Sequence, residues 1–311
     1  MDMLDMPREQ LGVCAEGNLH SVYLMFNAVD GAEAQLRPCL ASIAQHIYDL
    51  ADQYADSAFN GFIAIGANFW DTLYADERPA LLRPFPAMEE GNRDAPAIEY
   101  DLFVQLRCDR LDILHLVANE VYDMLEDVAE LQDEERGFRY MDSRDLTGFV
   151  DGTENPKGRH RQEVALVGDE DYAFRSGSYI HVQKYVHNLR KWQRVPLKKQ
   201  EDIIGRTKLD NIEYASEDKP LTSHIKRVNL KDEHGESMEI LRQSMPYGSL
   251  KQQGLMFIST CKTPVHFEQM LMSMIHSDSA GNHDHMLHFT QAVSGSSFFA
   301  PSLDFLMQYD D

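Results

Sequence analysis

Two strand-like segments, each followed by an amphipathic helix, recur about half a chain apart. LFVQLRC (102–108) and LMFISTC (255–261) are both apolar and end on cysteine, at an offset of 153 residues (255 − 102). Hydrophobic residues at helical spacing begin within ten residues of each segment. SYIHVQKYVHNL (178–189) likewise resembles the first strand candidate, HSVYLMFN (20–27). The sequence therefore predicts an α+β fold of two related modules, each an antiparallel sheet with helices packed on one face.

Other hydrophobic patterns fill in the order of elements. A three-and-four spacing predicts a helix over 36–54, and FNGFIAIGANFW (59–70) predicts a strand. The stretch 78–96 is rich in proline and charge, which indicates a loop. A second helix is predicted to carry Leu114, Val117, Val121, Leu125, Val128 and Leu131. We place the boundary between the modules near residue 145, which predicts domains 1–145 and 146–311.

Composition argues against several classes of protein. The 311 residues include 51 Asp and Glu against 29 Lys and Arg, a net charge of −22, so the surface should repel nucleic acid and anionic membranes. No segment approaches the roughly 18 uncharged apolar residues of a membrane span. The four cysteines stand far apart, which argues against a zinc knuckle or a disulfide framework. We expect a cytoplasmic protein with neither a nucleic-acid partner nor a membrane anchor.

The segment GFVDGTENP (148–156) allows two interpretations. Asp-Gly is a common turn dipeptide, because Asp accepts backbone N–H bonds and Gly takes a positive φ. The segment nevertheless combines Asp151, Glu154 and Asn155, which is denser in functional groups than a turn requires. Either a simple turn or a catalytic acid would fit these residues alone.

Two further residues are candidates for chemistry. His224, in TSHIKRVNL, has no HxxxH partner, and structural zinc takes four ligands. Haem iron needs only one axial imidazole, so a lone His is compatible with haem. Arg242, in SMEILRQSMPYG, shares one face of a predicted strand with Met238, Ile240 and Ser244. A guanidinium on an apolar face invites an anion in a pocket, although an edge strand that points Arg242 to solvent is the alternative.

Five motifs in order resemble those of the dye-decolourising peroxidases. They cover about the last half of the chain, and the first half is similar only in size and pattern; the motifs are GFVDGTENP, HIKRVN, LRQSMPYG, GLMFIS and DHMLHFTQAVSGSSFFAPS. The resemblance implies two ferredoxin-like domains and one haem b per chain. It also implies an enzyme, often a homo-oligomer, that reduces hydrogen peroxide and oxidises dyes or small phenolic reductants.

The resemblance also assigns roles to individual residues. It implies that Asp151 is the distal acid/base, Arg242 the distal charge stabiliser and His224 the proximal iron ligand. Asp284, in HDHMLHF, is the candidate acceptor for the second N–H of His224, and His288 stands where some relatives have an acid.

Further contacts with the haem follow from the same motifs. Arg206 matches a position beside a haem propionate, and Ser244 stands where family members often carry Asn. The other residues expected at the cofactor are Gly152, Asn155, Val228 and Phe257. Phe298 and Phe299 would suit either packing around the porphyrin or the ordinary core. Trp192 is a candidate surface relay for electrons from bulky dyes.

Other functions remain open at this point. The same fold and ligand would serve a haem carrier, or an enzyme that releases iron or decarboxylates porphyrin side chains. A passive carrier has no need of a proton shuttle, so Asp151 and Arg242 argue against it. A haem-free module of paired ferredoxin-like domains for protein interaction is the third reading.

Overall fold

Strands and helices follow an order that repeats once along the chain. The computed structural model describes residues 6–310. Its strands are β1 (His20–Ala28), β2 (Asn60–Gly66), β3 (Met88–Glu90), β4 (Arg93–Ala95), β5 (Leu102–Cys108), β6 (Ala129–Phe138), β7 (Ser178–His187), β8 (Leu241–Arg242), β9 (Met245–Gly248), β10 (Gln253–Cys261) and β11 (Thr290–Ala300). Its helices are α1 (Glu33–Gln53), α2 (Trp70–Leu73), α3 (Leu111–Leu125), α4 (His160–Ala165), α5 (Leu189–Trp192), α6 (Leu197–Ile204), α7 (His224–Val228), α8 (Val265–Ile275) and α9 (Leu303–Leu306). Between residues 6 and 310, none of the helices has the length and apolar character needed to cross a membrane.

Each half of the chain is built around four antiparallel strands with the connectivity β-α-β-β-α-β. In the first half the strands lie in the order β6-β1-β5-β2, with α1 after β1 and α3 after β5. In the second half the order is β11-β7-β10-β9, with α8 after β10 and the short β8 also paired to β10. Numbered within its own half, each sheet therefore has the strand order 4-1-3-2 of a ferredoxin-like module. The predicted α+β fold of two such modules is confirmed.

The two sheets also join at both edges, which the sequence did not predict. Strand β11 pairs with β2 through Phe298 and Phe299, and β6 pairs with β9 through Gly137 and Tyr247. Together with the β7–β10 pairing, these contacts close a ring of eight strands. Apolar side chains from both halves fill the ring, among them Tyr23, Met25, Phe62, Phe103, Ile180, Val182, Met256, Ile258 and Phe298.

The equivalent strands β1 and β7 differ on the face that points away from the ring. In β1 this face is apolar and packs in one core with α1 and α3; it carries Val22, Leu24 and Phe26. In β7, Ile180 and Val182 point into the ring, so the residues between and after them point away from it. These residues are polar; they are His181, Gln183 and Tyr185. Polar side chains gain little from dense packing beneath a helix. The outer face of the second sheet therefore has room for a cavity, and the candidate site lies there.

Three predicted boundaries differ from the structure. The second helix ends at Leu125, so Val128 lies beyond it and Leu131 belongs to β6. Pairing of β6 with β1 along its length overrides the helical preference of its acidic residues. The strand predicted over 59–70 ends at Gly66, where α2 soon follows. The predicted loop 78–96 contains the small β3–β4 hairpin.

His181, on the outer face of β7, is a buried histidine without a charged partner. Its side chain is 2% exposed and stacks on Phe267, with ring centroids 4.1 Å apart. Burial lowers the pKa of His181 to about 3, and the nearby charge of Arg83 acts in the same direction. The ring is therefore neutral in the folded protein at pH values where it is protonated in the unfolded chain.

We predict that His181 makes the protein less stable on acidification. The unfolded chain binds a proton at His181 below its usual pKa of about 6.5 and the folded chain does not, so stability falls as pH drops from 6.5 toward 3. Between pH 7 and pH 5 this group should remove about 2 kcal/mol from the free energy of unfolding. Urea denaturation of the wild type and His181→Gln at both pH values measures the difference in slope. The exposed His115→Gln is the control and should keep the wild-type slope; an equally steep slope in His181→Gln would contradict the prediction.

Candidate active site

A cavity of about 400 Å³ lies between the outer face of the second sheet and helices α7 and α8. Most of its wall is apolar and includes Phe149, Ile204, Ile225, Leu255, Phe257, Met270, Leu271 and Met274. Polar side chains interrupt this wall at many points, so the cavity offers both an apolar surface and groups that can orient a ligand. Those relevant to the predicted site are Asp151, Arg206, His224, Arg242 and Ser244.

His224, the first residue of α7, faces this cavity with its ring held from behind. Its Nδ1 lies 2.6 Å from Oδ2 of Asp284, whose side chain is completely buried. The other oxygen of Asp284 accepts the backbone N–H of Met286 at 2.8 Å. Burial lowers the pKa of His224, but the charge and hydrogen bond of Asp284 outweigh burial, so the net shift of that pKa is upward. Because Asp284 engages Nδ1, Nε2 is the nitrogen left to meet a ligand in the cavity.

Asp151 and Arg242 form an ion pair on the cavity wall. The Nη1 atom of Arg242 lies 3.4 Å from Oδ1 of Asp151, and the two side chains are 26% and 28% exposed. The same Asp151 oxygen accepts the backbone N–H of Gly152 at 2.8 Å. Both residues also act electrostatically on His224. An acid, a fixed cation and an imidazole thus surround one space.

Asn155 fixes the backbone that carries Arg242. Its Nδ2 donates to the carbonyl of Arg242 at 2.7 Å, and its Oδ1 accepts the N–H of Arg242 at 3.0 Å. Gly152 has φ +75°, a conformation that favours glycine and turns the chain directly after Asp151. Neither Gly152 nor Asn155 lines the large cavity, where contacts with a cofactor were expected. Both residues instead shape the loop and strand that position Asp151 and Arg242.

Arg206 brings a buried cation to the wall of the large cavity. Its side chain is 7% exposed, and its Nη2 lies 3.4 Å from Oε1 of Glu154. Its Nε is buried and has no hydrogen-bond partner among the described residues. An unpaired buried N–H is costly, so this position suits an anionic group of a ligand.

A second, smaller cavity of about 240 Å³ lies on the other side of the Asp151–Arg242 pair. Asp151, Arg242 and Ser244 line both cavities. The smaller one is rich in cations, which include Arg107, Arg139, Arg144, Lys157 and Arg161. This local positive charge stands against the net charge of −22 for the chain. Sequence reasoning missed it, because these cations come from separate segments and carry no common motif.

Asp145 is another acid of the large cavity, and the sequence did not single it out. Burial raises the pKa of Asp145 to about 6, although hydrogen bonds from Thr147 favour the charged carboxylate. The backbone N–H of Thr147 donates to Oδ1 of Asp145 at 2.8 Å, and its hydroxyl donates to the same oxygen. Its place three residues before GFVDGTENP was the available signal.

The remaining predicted site residues are divided between the cavity and the core. Val228, Phe257 and Ser244 line the large cavity. Phe298 fills the ring of strands, and Phe299 packs against Trp70 and Tyr179, so neither lies at the cavity. The prediction that Trp192 is a surface residue was wrong. That side chain is 2% exposed, because its large ring packs in a small core with Phe149, Ile203 and Phe289. Its indole N–H donates to the carbonyl of Thr147.

The pair of Asp151 and Arg242 lines the same cavity as His224, the histidine that contacts a buried carboxylate. Such an arrangement defines an enzyme rather than a passive α+β module. Comparison with known proteins identifies which enzyme family this is. The N-terminal model of the Dyp-type peroxidases matches residues 12–139, and the C-terminal model matches residues 142–305. The chain belongs to the Dyp-type peroxidase family and is a peroxidase.

Individual relatives agree with this assignment. The dye-decolorizing peroxidase of Mycolicibacterium paratuberculosis is 37% identical over 288 residues, which cover 92% of this chain and 81% of that protein. A Shewanella oneidensis structure assigned to the dyp-type peroxidases is 79% identical, with a TM-score of 0.98 over 99% of this chain and 100% of that one. A variant of DypB from Rhodococcus jostii RHA1, solved in complex with haem, is 36% identical, with a TM-score of 0.91 over 96% and 97% of the two chains.

Proposed function

We propose that this chain binds one haem b in the large cavity and uses it to reduce hydrogen peroxide with electrons from small aromatic reductants. His224 is the iron ligand, Asp151 the acid/base and Arg242 the charge stabiliser. The observation that carries the proposal is the 2.6 Å contact between His224 and the buried Asp284. A carboxylate behind a histidine fixes the ring and raises its basicity, which is the usual support for a metal-bound imidazole.

The residues of the cavity fit a haem. The apolar wall suits the porphyrin face, and a single histidine suffices because the porphyrin supplies the other four nitrogens. The unpaired Nε of Arg206 fits a propionate, whose oxygens would accept the hydrogen bond that Glu154 does not supply to this nitrogen. Val228 and Phe257 belong to the apolar wall.

Haem, when bound, supplies a redox-active iron that takes two electrons from reductants and passes them to peroxide. The side chains of the protein move the proton and stabilise the charge that develops. Asp151, as a carboxylate, takes a proton from one oxygen of hydrogen peroxide and returns it to the other, so that this oxygen leaves as water. Arg242 lowers the energy of the negative charge that develops on the oxygens while the proton moves. Asn155 keeps the arginine in place through its backbone.

Ser244 distinguishes this pocket from that of many relatives. Its hydroxyl accepts the N–H of Ile258 at 3.3 Å, so part of its hydrogen-bonding capacity is committed to the sheet. A serine is also shorter than asparagine. We infer that Asp151 and Arg242 carry the proton chemistry without a side-chain amide at this position.

A single experiment separates the candidate functions. Purified protein loaded with haem is mixed with hydrogen peroxide and a phenolic reductant, and product formation and free iron are followed together. We expect peroxide-dependent turnover with no release of iron. Iron release without phenol oxidation would favour a haem-processing enzyme. Haem uptake with neither reaction would favour a carrier, and absence of a Soret band would reject haem altogether.

The proposal also includes the compartment of the enzyme and its assembly. All four cysteines are free, which suits a reducing compartment and supports a cytoplasmic location. Assembly into a homo-oligomer and the division into domains 1–145 and 146–311 stay predictions. Gel filtration with light scattering measures the oligomeric state directly.

A further inference from the structure

Three histidines that flank Asp284 in the sequence form a cluster, and none of them lines the large cavity. His283 precedes a short 3-10 helix (His285–His288), and the helix contributes the other two. The Nε2 atoms of His283 and His288 lie 3.2 Å apart. One ligand atom from each of the three rings lies within 4.8 Å of the others. Each of the three imidazoles therefore places one nitrogen near a nitrogen of the other two.

The spacing of these nitrogens matches ligands of a shared metal ion. Zinc binds histidine nitrogen at about 2.0–2.1 Å, and tetrahedral geometry then places two ligand nitrogens about 3.4 Å apart. The distance between His283 and His288 is close to this value. The ring centroids of His285 lie 5.2 Å from His283 and 4.9 Å from His288. The ring of His285 is stacked on that of His288 at an interplanar angle of 29°, so its coordination requires the ring to rotate.

Hydrogen bonds do not satisfy all the ring nitrogens of the cluster. The Nδ1 of His283 is buried without a partner among the described residues. Burial lowers the pKa of His285 and of His288, and the neighbouring histidines lower both further, so the rings keep free lone pairs. An ion at the Nε2 atoms of His283 and His288 would replace the present contact between these two nitrogens, and the buried Nδ1 of His283 would not be one of its ligands.

The charges around the cluster are mixed. Lys199 acts on His285, while Lys191 and Arg93 act on His288, and all three oppose a cation. Asp284 attracts one from behind both rings. Neutral imidazole nitrogen selects transition metals over Mg²⁺ and Ca²⁺, which prefer oxygen ligands.

We propose that His283, His285 and His288 bind one divalent transition-metal ion, with Zn²⁺ and Cu²⁺ as the best matches and water in the fourth position. This site is separate from the haem cavity and does not depend on the proposed peroxidase chemistry. Its ion is held by three histidines of a single turn, within six residues of sequence.

Calorimetric titration tests the site directly. Zinc chloride is added to the haem-loaded, tag-free protein at pH 7.5, and we expect one ion per chain. His283→Asn and His288→Asn should each weaken binding at least about tenfold, since even the loss of a supporting residue typically costs 10–100-fold. Both changes lie on an exposed or half-buried turn, and an unchanged Soret band and melting temperature verify the fold.

A competing surface site provides the matched control. Nδ1 of His160 lies 3.0 Å from Glu163 and its Nε2 lies 2.9 Å from Glu239, so each ring nitrogen with its own glutamate is an alternative two-ligand zinc position elsewhere on the chain. His160→Gln should keep wild-type affinity. Zinc X-ray absorption should give three nitrogen neighbours at about 2.0–2.1 Å in the wild type. The proposal is overturned if no zinc binds, or if zinc is lost in His160→Gln and retained in the two cluster variants.

Discussion

The His224→Ala variant should lose the haem that the wild-type chain retains through gel filtration. Removal of the imidazole that would hold the iron leaves Asp284 as a buried carboxylate without its 2.6 Å partner, so the site would lose both the proposed ligand and its support. We expect affinity for haem to fall by more than about 100-fold, since removal of an outer partner of a ligand alone costs 10–100-fold. Haem titration followed at the Soret band measures the change.

A second histidine of the same cavity provides a stringent control. His187 lines the cavity, its Nδ1 lies 2.8 Å from Oγ1 of Thr290, and its Nε2 has no partner among the described residues. Unlike His224, it has no carboxylate behind it. His187→Ala should retain haem with an unchanged Soret position. If His187→Ala loses haem and His224→Ala keeps it, the ligand assignment is wrong.

Chemical rescue distinguishes loss of the ligand from loss of the fold. His224→Gly leaves space where the ring stood, and added imidazole should restore a wild-type Soret band. A variant that has merely misfolded would not respond to imidazole. Circular dichroism in the far ultraviolet verifies that the sheets and helices remain.

The sequence predicted local elements more reliably than their assembly. Strand β1 and helix α1 follow from hydrophobic periodicity, because each buries its apolar residues against the body of its own half. The closure of the ring depends on Phe298 meeting Gly66 and on Gly137 meeting Tyr247. No local pattern records such pairings between residues more than 100 positions apart. The same limit explains β6, whose acidic sequence is helical in preference and extended in the fold.

The candidate site shows the same division. GFVDGTENP and HIKRVN supplied Asp151 and His224, and the structure places them on one cavity. The role of Asn155 is visible only in space, because its two hydrogen bonds reach the backbone of Arg242, 87 residues away. The resemblance supplied Asp284, but its burial and its contact with His224 required the fold. Trp192 was misplaced since aromatic residues near a basic stretch look exposed in sequence and can still be buried in space.

Replacement of the distal acid should leave haem binding intact and slow peroxide reduction severely. Asp151→Asn keeps an oxygen that accepts the N–H of Gly152, at 2.8 Å in the wild type, so the turn should persist. It removes the group that carries the proton, and general acid–base catalysis contributes about 10²–10⁴-fold. We expect kcat/KM for hydrogen peroxide to fall within that range at an unchanged haem content. Steady-state oxidation of a phenolic reductant at varied peroxide concentration measures it.

Arg242→Leu should cause a loss of about 10²–10³-fold, the range found for one donor that stabilises developing charge. Arg242 and Asp151 are paired at 3.4 Å, and in the proposed mechanism both act on the oxygens of the same peroxide. The double variant should therefore be little slower than the worse single one. Asp142→Asn removes an exposed acid from the same segment at φ +57°, which asparagine tolerates, and should match the wild type. Wild-type peroxide kinetics in haem-replete Asp151→Asn would exclude the proton-transfer role. Strictly additive losses would instead show that the two residues act at separate steps.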